Sequence, residues 1–269
     1  MTIKHQFIVD DLSAGYGDKT ILEEINIEIN TGQITSIIGA NACGKSTLLR
    51  TMSRLITPSK GRAILDGKSI HKIPTRQLAQ TLGLLPQSPI APEGITVGDL
   101  VSRGRHPHHG FMSRWNKADD EAIAKALETT KTTELLDREV DELSGGQRQR
   151  VWIAMALAQE TDILLLDEPT TFLDVAHQIE VLDLLVDLNQ AQGTTVVLVL
   201  HDLNLASRYS DQLIAMQQGK VYATGTPKDV VTEEIIHSVF GLHNKVITDP
   251  ISDSPMVLPI GRHKASKKT

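Results

Sequence analysis

The run GANACGKST, Gly39 to Thr47, has the spacing G-x-x-x-x-G-K-[ST] after an apolar, strand-like stretch (Ile34–Ile38) and at the start of a helical pattern (Lys45–Arg54). In that setting the chemistry is phosphate binding. Backbone N–H groups of the loop wrap the phosphates, Lys45 reaches the outer ones and the Ser46 hydroxyl offers a ligand to Mg²⁺. Gly39, Asn41, Cys43, Gly44 and Thr47 complete that nucleotide-facing loop. Farther along, ILLLDE (Ile163–Glu168) is an apolar strand ending in two carboxylates. An acid at the exit of a buried strand is costly unless it meets a metal or a partner. Asp167 is therefore expected to hold Mg²⁺, directly or through water, and Glu168 to orient and deprotonate an attacking water. His201 ends another apolar strand, TVVLVL, and Gln87 follows a third, Leu82–Leu85. The histidine suits the γ-phosphate or the water, and the glutamine suits Mg²⁺ or water. On pattern alone each is equally an ordinary strand-end or turn residue.

A second phosphate grip lies well downstream. LSGGQRQR, Leu143 to Arg150, puts Ser144, Gly145, Gly146 and Gln147 at the start of a helical run, where unpaired N–H groups and the positive helix end favour an anion. One chain thus carries two grips. Other candidates are weaker. Tyr16 suits stacking on a base but equally suits a half-buried strand end. His106-Pro107-His108-His109 has neither cysteine partners nor i,i+4 spacing, so it reads as a polar surface loop rather than a metal site. Cys43 beside Lys45 at a helix start is expected to have a lowered pKa and to react with thiol reagents if exposed, with no catalytic role.

These residues need a scaffold that brings several strand ends together. Residues 3–35 alternate apolar and polar around the turns at Gly15–Gly17 and Thr31–Gly32, reading as short strands. From Ile163 the chain alternates strands (Ile163–Leu166, Thr195–Leu200, Leu213–Met216) with helices (Ala176–Gln192 and one after Asp202). That order implies an α/β fold with a mainly parallel sheet and ligands at the strand C-terminal ends. Between them, residues 75–160 mix turn-rich stretches with helical patterns at Ala118–Thr130 and Gln147–Gln159, as an inserted helical lobe would.

Composition narrows the function. The 269 residues carry 27 Lys plus Arg against 33 Asp plus Glu, a net charge of −6, which argues against nucleic acid as a partner held by bulk electrostatics. A single cysteine excludes an internal disulfide and fits a reducing compartment. The N-terminus does not read as a signal peptide. The longest apolar runs, such as Val196–Leu200, fall far short of the roughly 18 residues of a membrane span. Any membrane association therefore needs a partner. The basic end GRHKASKKT reads as a solvated tail.

Taken in order, GANACGKST, Gln87, LSGGQ, ILLLDE, TFLD (Thr171–Asp174) and LVLHD with His201 resemble the ATP-binding subunits of ABC transporters over roughly residues 5–245. The flanking words PQSP, TVGDLVSRGRHPH, LSGGQRQRVWIAMALAQ and DEPTTFLDVAHQIEVL are similar to those of ferric-siderophore importers, the same importer type as the vitamin B12 system. The resemblance implies a single P-loop NTPase (RecA-like) domain. Residues 1–86 and 161–245 would form the nucleotide-binding core with an antiparallel β subdomain, residues 87–160 the helical subdomain and residues 246–269 a C-terminal tail. It implies ATP and Mg²⁺ as ligands, with Lys45, Gln87, Glu168 and His201 as the catalytic set, Ser46, Gln87 and Asp167 toward the metal, and Tyr16 on adenine. It also resolves the doubled grip: two copies pack head to tail, and Ser144–Gln147 of one close over the γ-phosphate held by Lys45 of the other, with Asp174 at the same interface. The surface around residues 88–115 would take a short helix of a membrane permease, placing the chain peripherally at the cytoplasmic face of the membrane, with a substrate-binding protein as an indirect partner.

Ala40 and Ala42 depart from the Pro and Gly that the superfamily most often has there; if residue 42 needs a positive φ, alanine costs on the order of 1–2 kcal/mol. Competing readings fit less. A soluble ABC-type ATPase acting on DNA or the ribosome would need long heptads or two cassettes, and a nucleotide kinase has no use for LSGGQ. Vitamin B12 and haem remain alternative cargoes.

Overall fold

The computed structural model describes residues 5–110, 114–171 and 173–261. Strands β1 (Phe7–Tyr16) and β2 (Lys19–Ile29) form an antiparallel hairpin. Alternate residues of both are buried, the period of a sheet with one wet face. Strand β3 (Ile34–Gly39) is buried at every residue and runs through the glycine loop into α1 (Lys45–Met52). After it, β4 (Lys60–Leu65) pairs antiparallel with β1, and β5 (Lys68–Ser69) with β4, giving the sheet order β2-β1-β4-β5. Then α2 (Thr75–Thr81) leads into β6 (Leu82–Leu85).

The helical lobe follows, with α3 (Val97–Ser102), α4 (Lys117–Thr129) and α5 (Gly145–Ala158). Its helices begin where the side-chain chemistry requires. The Thr96 hydroxyl accepts from Asp99 N, and reciprocal capping boxes join Asn116 to Asp119 and Ser144 to Gln147. The remaining elements are β7 (Ile163–Leu166), α6 (Val175–Gln192), β8 (Thr195–Val199), α7 (Leu203–Tyr209), β9 (Gln212–Gln217), β10 (Lys220–Gly225), α8 (Pro227–Val230), α9 (Glu233–Phe240), β11 (Asn244–Thr248) and β12 (Pro255–Pro259).

The central sheet has the order β10-β9-β3-β8-β7-β6, parallel from β9 to β6 with β10 antiparallel at the edge. Its strands are apolar on both faces because two cores meet there. Ile37, Leu165, Val197 and Ile214 face the N-terminal sheet and α1. Ile38, Leu164, Leu198 and Leu213 face the other way, into one cluster that also contains Val97, Ile123 and Val151 of the lobe. The lobe thus shares a core with the sheet, and its position is fixed relative to the strand ends.

Two expectations change. Residues 246–259, assigned to the tail from sequence, lie largely in the β11–β12 hairpin, which docks on α7. There Val257 N donates to Asn204 Oδ1 (2.7 Å), Ser207 Oγ to Pro255 O (2.7 Å), and Arg208 pairs with buried Asp249 (2.6 Å). The final residues, 262–269, lie outside the described ones. The histidine run is not simply a surface loop either. It lies largely in a 3-10 turn (Arg103–His108) that inserts Arg105 into the lobe. Arg105 donates to Asp119 (3.0 Å), Ala158 O (2.7 Å) and Glu160 (2.7 Å), while His108 meets Gln159 O (2.8 Å) and His109 stacks on Trp115.

Burial acts to raise the pKa of Asp119, but the hydrogen bonds from Arg105 and Asn116 N outweigh it and hold the carboxyl below its ordinary range. Removing the guanidinium leaves that carboxylate buried and short of its main partner. Arg105→Ala is accordingly expected to cost about 3–5 kcal/mol, read as a lower midpoint in urea unfolding, with Arg103→Ala as an exposed control.

Candidate active site

The parallel strands deliver their chemistry to one edge. The glycine loop leaves β3, Asp167 and Glu168 follow β7, His201 follows β8 and Gln87 follows β6. The ladder even continues one step past the strand, since Asp167 N donates to Leu85 O (2.9 Å). A cleft of about 490 Å³ opens there, walled by Tyr16, Asn41, Lys45, Ser46, Gln87, Glu168 and His201, with Ala42, Gly44 and Thr47 on the loop side and Lys19 and Ile21 near the tyrosine.

The loop's shape follows from its small residues. Gly39 sits at φ 153° between β9 and the loop, where a Cβ would collide with Met216 O and stand 2.7 Å from Cys43 Sγ. Ala42 adopts φ 61°, so the alanine cost anticipated from sequence applies. Lys45 is buried and donates to the carbonyls of Gly39 (2.9 Å) and Ala40 (3.0 Å), curling back over its own loop. Tyr16 is half exposed on the cleft wall, its hydroxyl 3.4 Å from Arg50 Nη1.

Cys43 departs from expectation. Its side chain is buried in the core and does not line the cleft. Burial pushes its thiol pKa up, outweighing Lys45, so it is an apolar anchor for the loop and not a reactive thiol. Proximity to a lysine was visible in sequence; the burial that overrides it was not.

Asp167 and Glu168 divide the work. Asp167 is buried, and burial raises its pKa, with the Ser46 hydrogen bond (2.8 Å) opposing that and the neighbouring Glu168 charge adding to it. Its second oxygen, Oδ2, is buried with no hydrogen-bond partner. An orphaned carboxylate oxygen on a residue held by a serine hydroxyl suits the oxygen-ligand preference of Mg²⁺, so Ser46 and Asp167 fit that ion. Gln87, whose Nε2 donates to Glu168, carries an amide oxygen of the same donor type. Glu168 turns at φ 54° into the cleft. Gln87 Nε2 (2.5 Å) and Thr171 Oγ1 (3.0 Å) donate to its Oε2, and His201 Nε2 lies 2.6 Å from its Oε1. Carboxylate, imidazole and amide are therefore one connected group. Thr171 was not singled out as a site residue, though its position three residues after Glu168 is a usable signal; Lys19 and Ile21 carry no motif and emerge only from the fold.

Ser144, Gly145, Gly146, Gln147 and Asp174 stand apart and do not line the cleft. Ser144 and Gln147 close a capping box (3.1 and 3.3 Å), and Gly145 faces open space.

The family model described as ABC transporter matches residues 22–171. The chain belongs to the ABC transporter family. It is 52% identical to the ferric enterobactin transport ATP-binding protein FepC of Escherichia coli, over 94% of this chain and 93% of that one. It is 49% identical to the iron(3+)-hydroxamate import ATP-binding protein FhuC of Bacillus subtilis, over 96% of each. Among solved structures it resembles an ATP-binding cassette in a dimeric, post-hydrolysis state bound to ADP and Pi, with TM-score 0.71 and 27% identity over 82% of this chain and 98% of that one. As an ABC ATP-binding protein the chain is an ATPase and ATP is its substrate. Among the described residues no helix is long and apolar enough to cross a membrane.

Replacing Asp167 by Asn removes a buried charge with an unpartnered oxygen. The nucleotide-free Asp167→Asn protein is expected to melt roughly 2–4 °C higher, about what 1 kcal/mol yields in a chain of this size. It is also expected to lose the extra stabilisation by ATP that Mg²⁺ confers on the native protein and that EDTA removes. Thermal melts with ATP, with and without Mg²⁺, read both effects.

Proposed function

We propose that this chain is the ATP-hydrolysing motor of a ferric-siderophore importer, working as a head-to-tail homodimer at the cytoplasmic face of the membrane, beneath a separate permease. The observation that carries the reading is the division of the phosphate-binding apparatus. Lys45, Ser46, Glu168 and His201 share one cleft, while the Ser144–Gln147 turn that opens α5 lies outside it. A second copy related by a two-fold axis would bring the missing half to each cleft.

In this reading Tyr16 stacks on adenine and the loop from Gly39 to Thr47 wraps the phosphates. Lys45 exchanges its two carbonyl acceptors for phosphate oxygens. Ser46, Gln87 and Asp167 hold Mg²⁺, which when bound offsets charge on the outer phosphates. Glu168 accepts the proton of the attacking water, and His201, hydrogen-bonded to it, steadies that carboxylate and the γ-phosphate. Asp174 meets the partner across the interface. ATP shared between two copies favours the closed dimer, and its hydrolysis removes that preference.

The permease would sit at a groove of about 740 Å³ on the lobe, lined by buried Ile123 and Leu127, exposed Leu136, and Asp99, Asp120 and Asp137. This suits a short helix of the permease bearing apolar and basic residues, within and beside the 88–115 surface. Cargo rests on the relatives' names, which specify enterobactin and hydroxamate systems. A substrate-binding protein outside the membrane would choose it.

Glu168→Gln is expected to bind Mg-ATP, to lose hydrolysis by roughly two orders of magnitude or more and to run as a dimer with ATP on a sizing column. In a deletion strain the native gene should restore uptake of labelled iron on a hydroxamate or catecholate siderophore, and Glu168→Gln should not. Intact iron uptake with vitamin B12 or haem uptake lost would reassign the cargo. Separately, a Ser144→Arg chain mixed with a Lys45→Ala chain should regain no more than one working site per dimer, and normal hydrolysis by each chain alone would exclude shared sites.

A further inference from the structure

His177 touches both of the loops that the proposed dimer would present to its partner. On one side, Asp174 Oδ1 accepts from His177 N (3.0 Å) and lies 2.7 Å from His177 Nδ1, which fixes the imidazole with its proton on Nδ1. On the other side, the ring lies against Gly146. A Cβ on that glycine would stand 2.8 Å from His177 Cδ2 and 3.2 Å from Cγ and Nε2, so only glycine admits the imidazole at this point of α5. One turn farther along both helices, Arg150 Nη1 donates to Glu180 Oε2 (3.3 Å), continuing the seam between α5 and α6. The ring is partly exposed, and Asp174 and Val175 beside it are exposed, so no core packing accounts for a histidine here.

We infer that His177 is a positioning residue that holds the Asp174 loop and the Ser144–Gln147 turn in a single register, so that the two partner-facing elements move as one surface. This rests on the shared-site reading above. A helix N-terminus offered across an interface is useful only within a fraction of an ångström of the phosphate it must meet. Its own capping box sets its internal geometry, and His177 sets its place relative to the neighbouring loop.

The test is steady-state ATP hydrolysis by the full chain, fitted for kcat, half-saturating ATP and Hill coefficient, with melting temperature measured alongside. His177→Ala should lower kcat roughly 10- to 100-fold and bring a Hill coefficient above one down to one. Half-saturating ATP should move less than about twofold, because the cleft is untouched, and melting should be little changed. His177→Asn, whose amide N–H can take the place of Nδ1–H, should recover part of the rate. His177→Phe, which retains a ring but no donor, should not.

A His177→Ala protein that hydrolyses ATP like the native one with the same cooperativity overturns the positioning role. So does a kcat loss that simply tracks a fall in melting temperature and that Asn fails to relieve. A native protein with a Hill coefficient of one, together with normal hydrolysis by Ser144→Arg alone, would remove the shared site itself and this inference with it.

Discussion

A fully buried strand that ends in two adjacent carboxylates is the constraint around which this molecule is arranged. Every residue of β7 is buried, and Asp167 remains so. Two negative charges at such a place are unfavourable unless neighbouring elements supply donors or cations. The parallel sheet supplies them. It sets β6 and β8 on either side of β7, which brings Gln87 and His201 to Glu168 and leaves Asp167 to Ser46 of the glycine loop. The positive φ of Glu168 is part of the same solution. It breaks the strand's alternation, so that consecutive acids take different environments, one toward the loop and one toward the cleft. Backbone strain of this kind persists where surrounding contacts over-determine it.

The same sheet explains why the helical lobe can serve two purposes. Its apolar residues merge with one face of the sheet, so the turn opening α5 is placed by the same core that places Asp167 and Glu168. Its outer side is left with a separate groove. A force applied at that groove would act on a body whose other end carries the Ser144–Gln147 turn. The buried Arg105, tied to Asp119, Ala158 and Glu160, stiffens the body between the two ends, because a guanidinium buried with several partners has few alternative arrangements of comparable energy.

Local patterns carried much of this architecture. Apolar runs of strand length followed by Gly39, Asp167 or His201 are readable because both the strand signal and the functional residue lie within a few positions of one another. What local pattern could not convey was burial at a distance. Cys43 looks activated beside Lys45 until the core closes over it. Arg105 looks like one more charge in a basic, histidine-rich stretch until Asp119 is found opposite. The β11–β12 hairpin follows a helix of ordinary appearance, and much of what it docks on is α7, more than thirty residues earlier in the numbering. Thr171 and His177 lie inside words that the family resemblance quotes, but their contacts with Glu168 and Gly146 depend on how the chain turns between β7 and α6.

The resting hydrogen bonds also bear on how binding energy is used. Lys45 is satisfied by Gly39 and Ala40, and Glu168 by Gln87, Thr171 and His201, before any nucleotide arrives. Nucleotide must therefore exchange existing hydrogen bonds for new ones, and the net gain per contact is the modest difference between them. Tight binding to one open cleft is not what such an arrangement favours. The Ser144 turn is held differently: the capping box already occupies Ser144 N and Gln147 N (3.1 and 3.3 Å), while Gly145 between them faces open space. A phosphate that reached this turn would meet the positive end of α5 but would compete with the capping box for the Gln147 N–H. Both half-sites therefore start from satisfied donors, so in a shared site the gain on closure would be a difference between hydrogen bonds exchanged on two chains and not a sum of new ones.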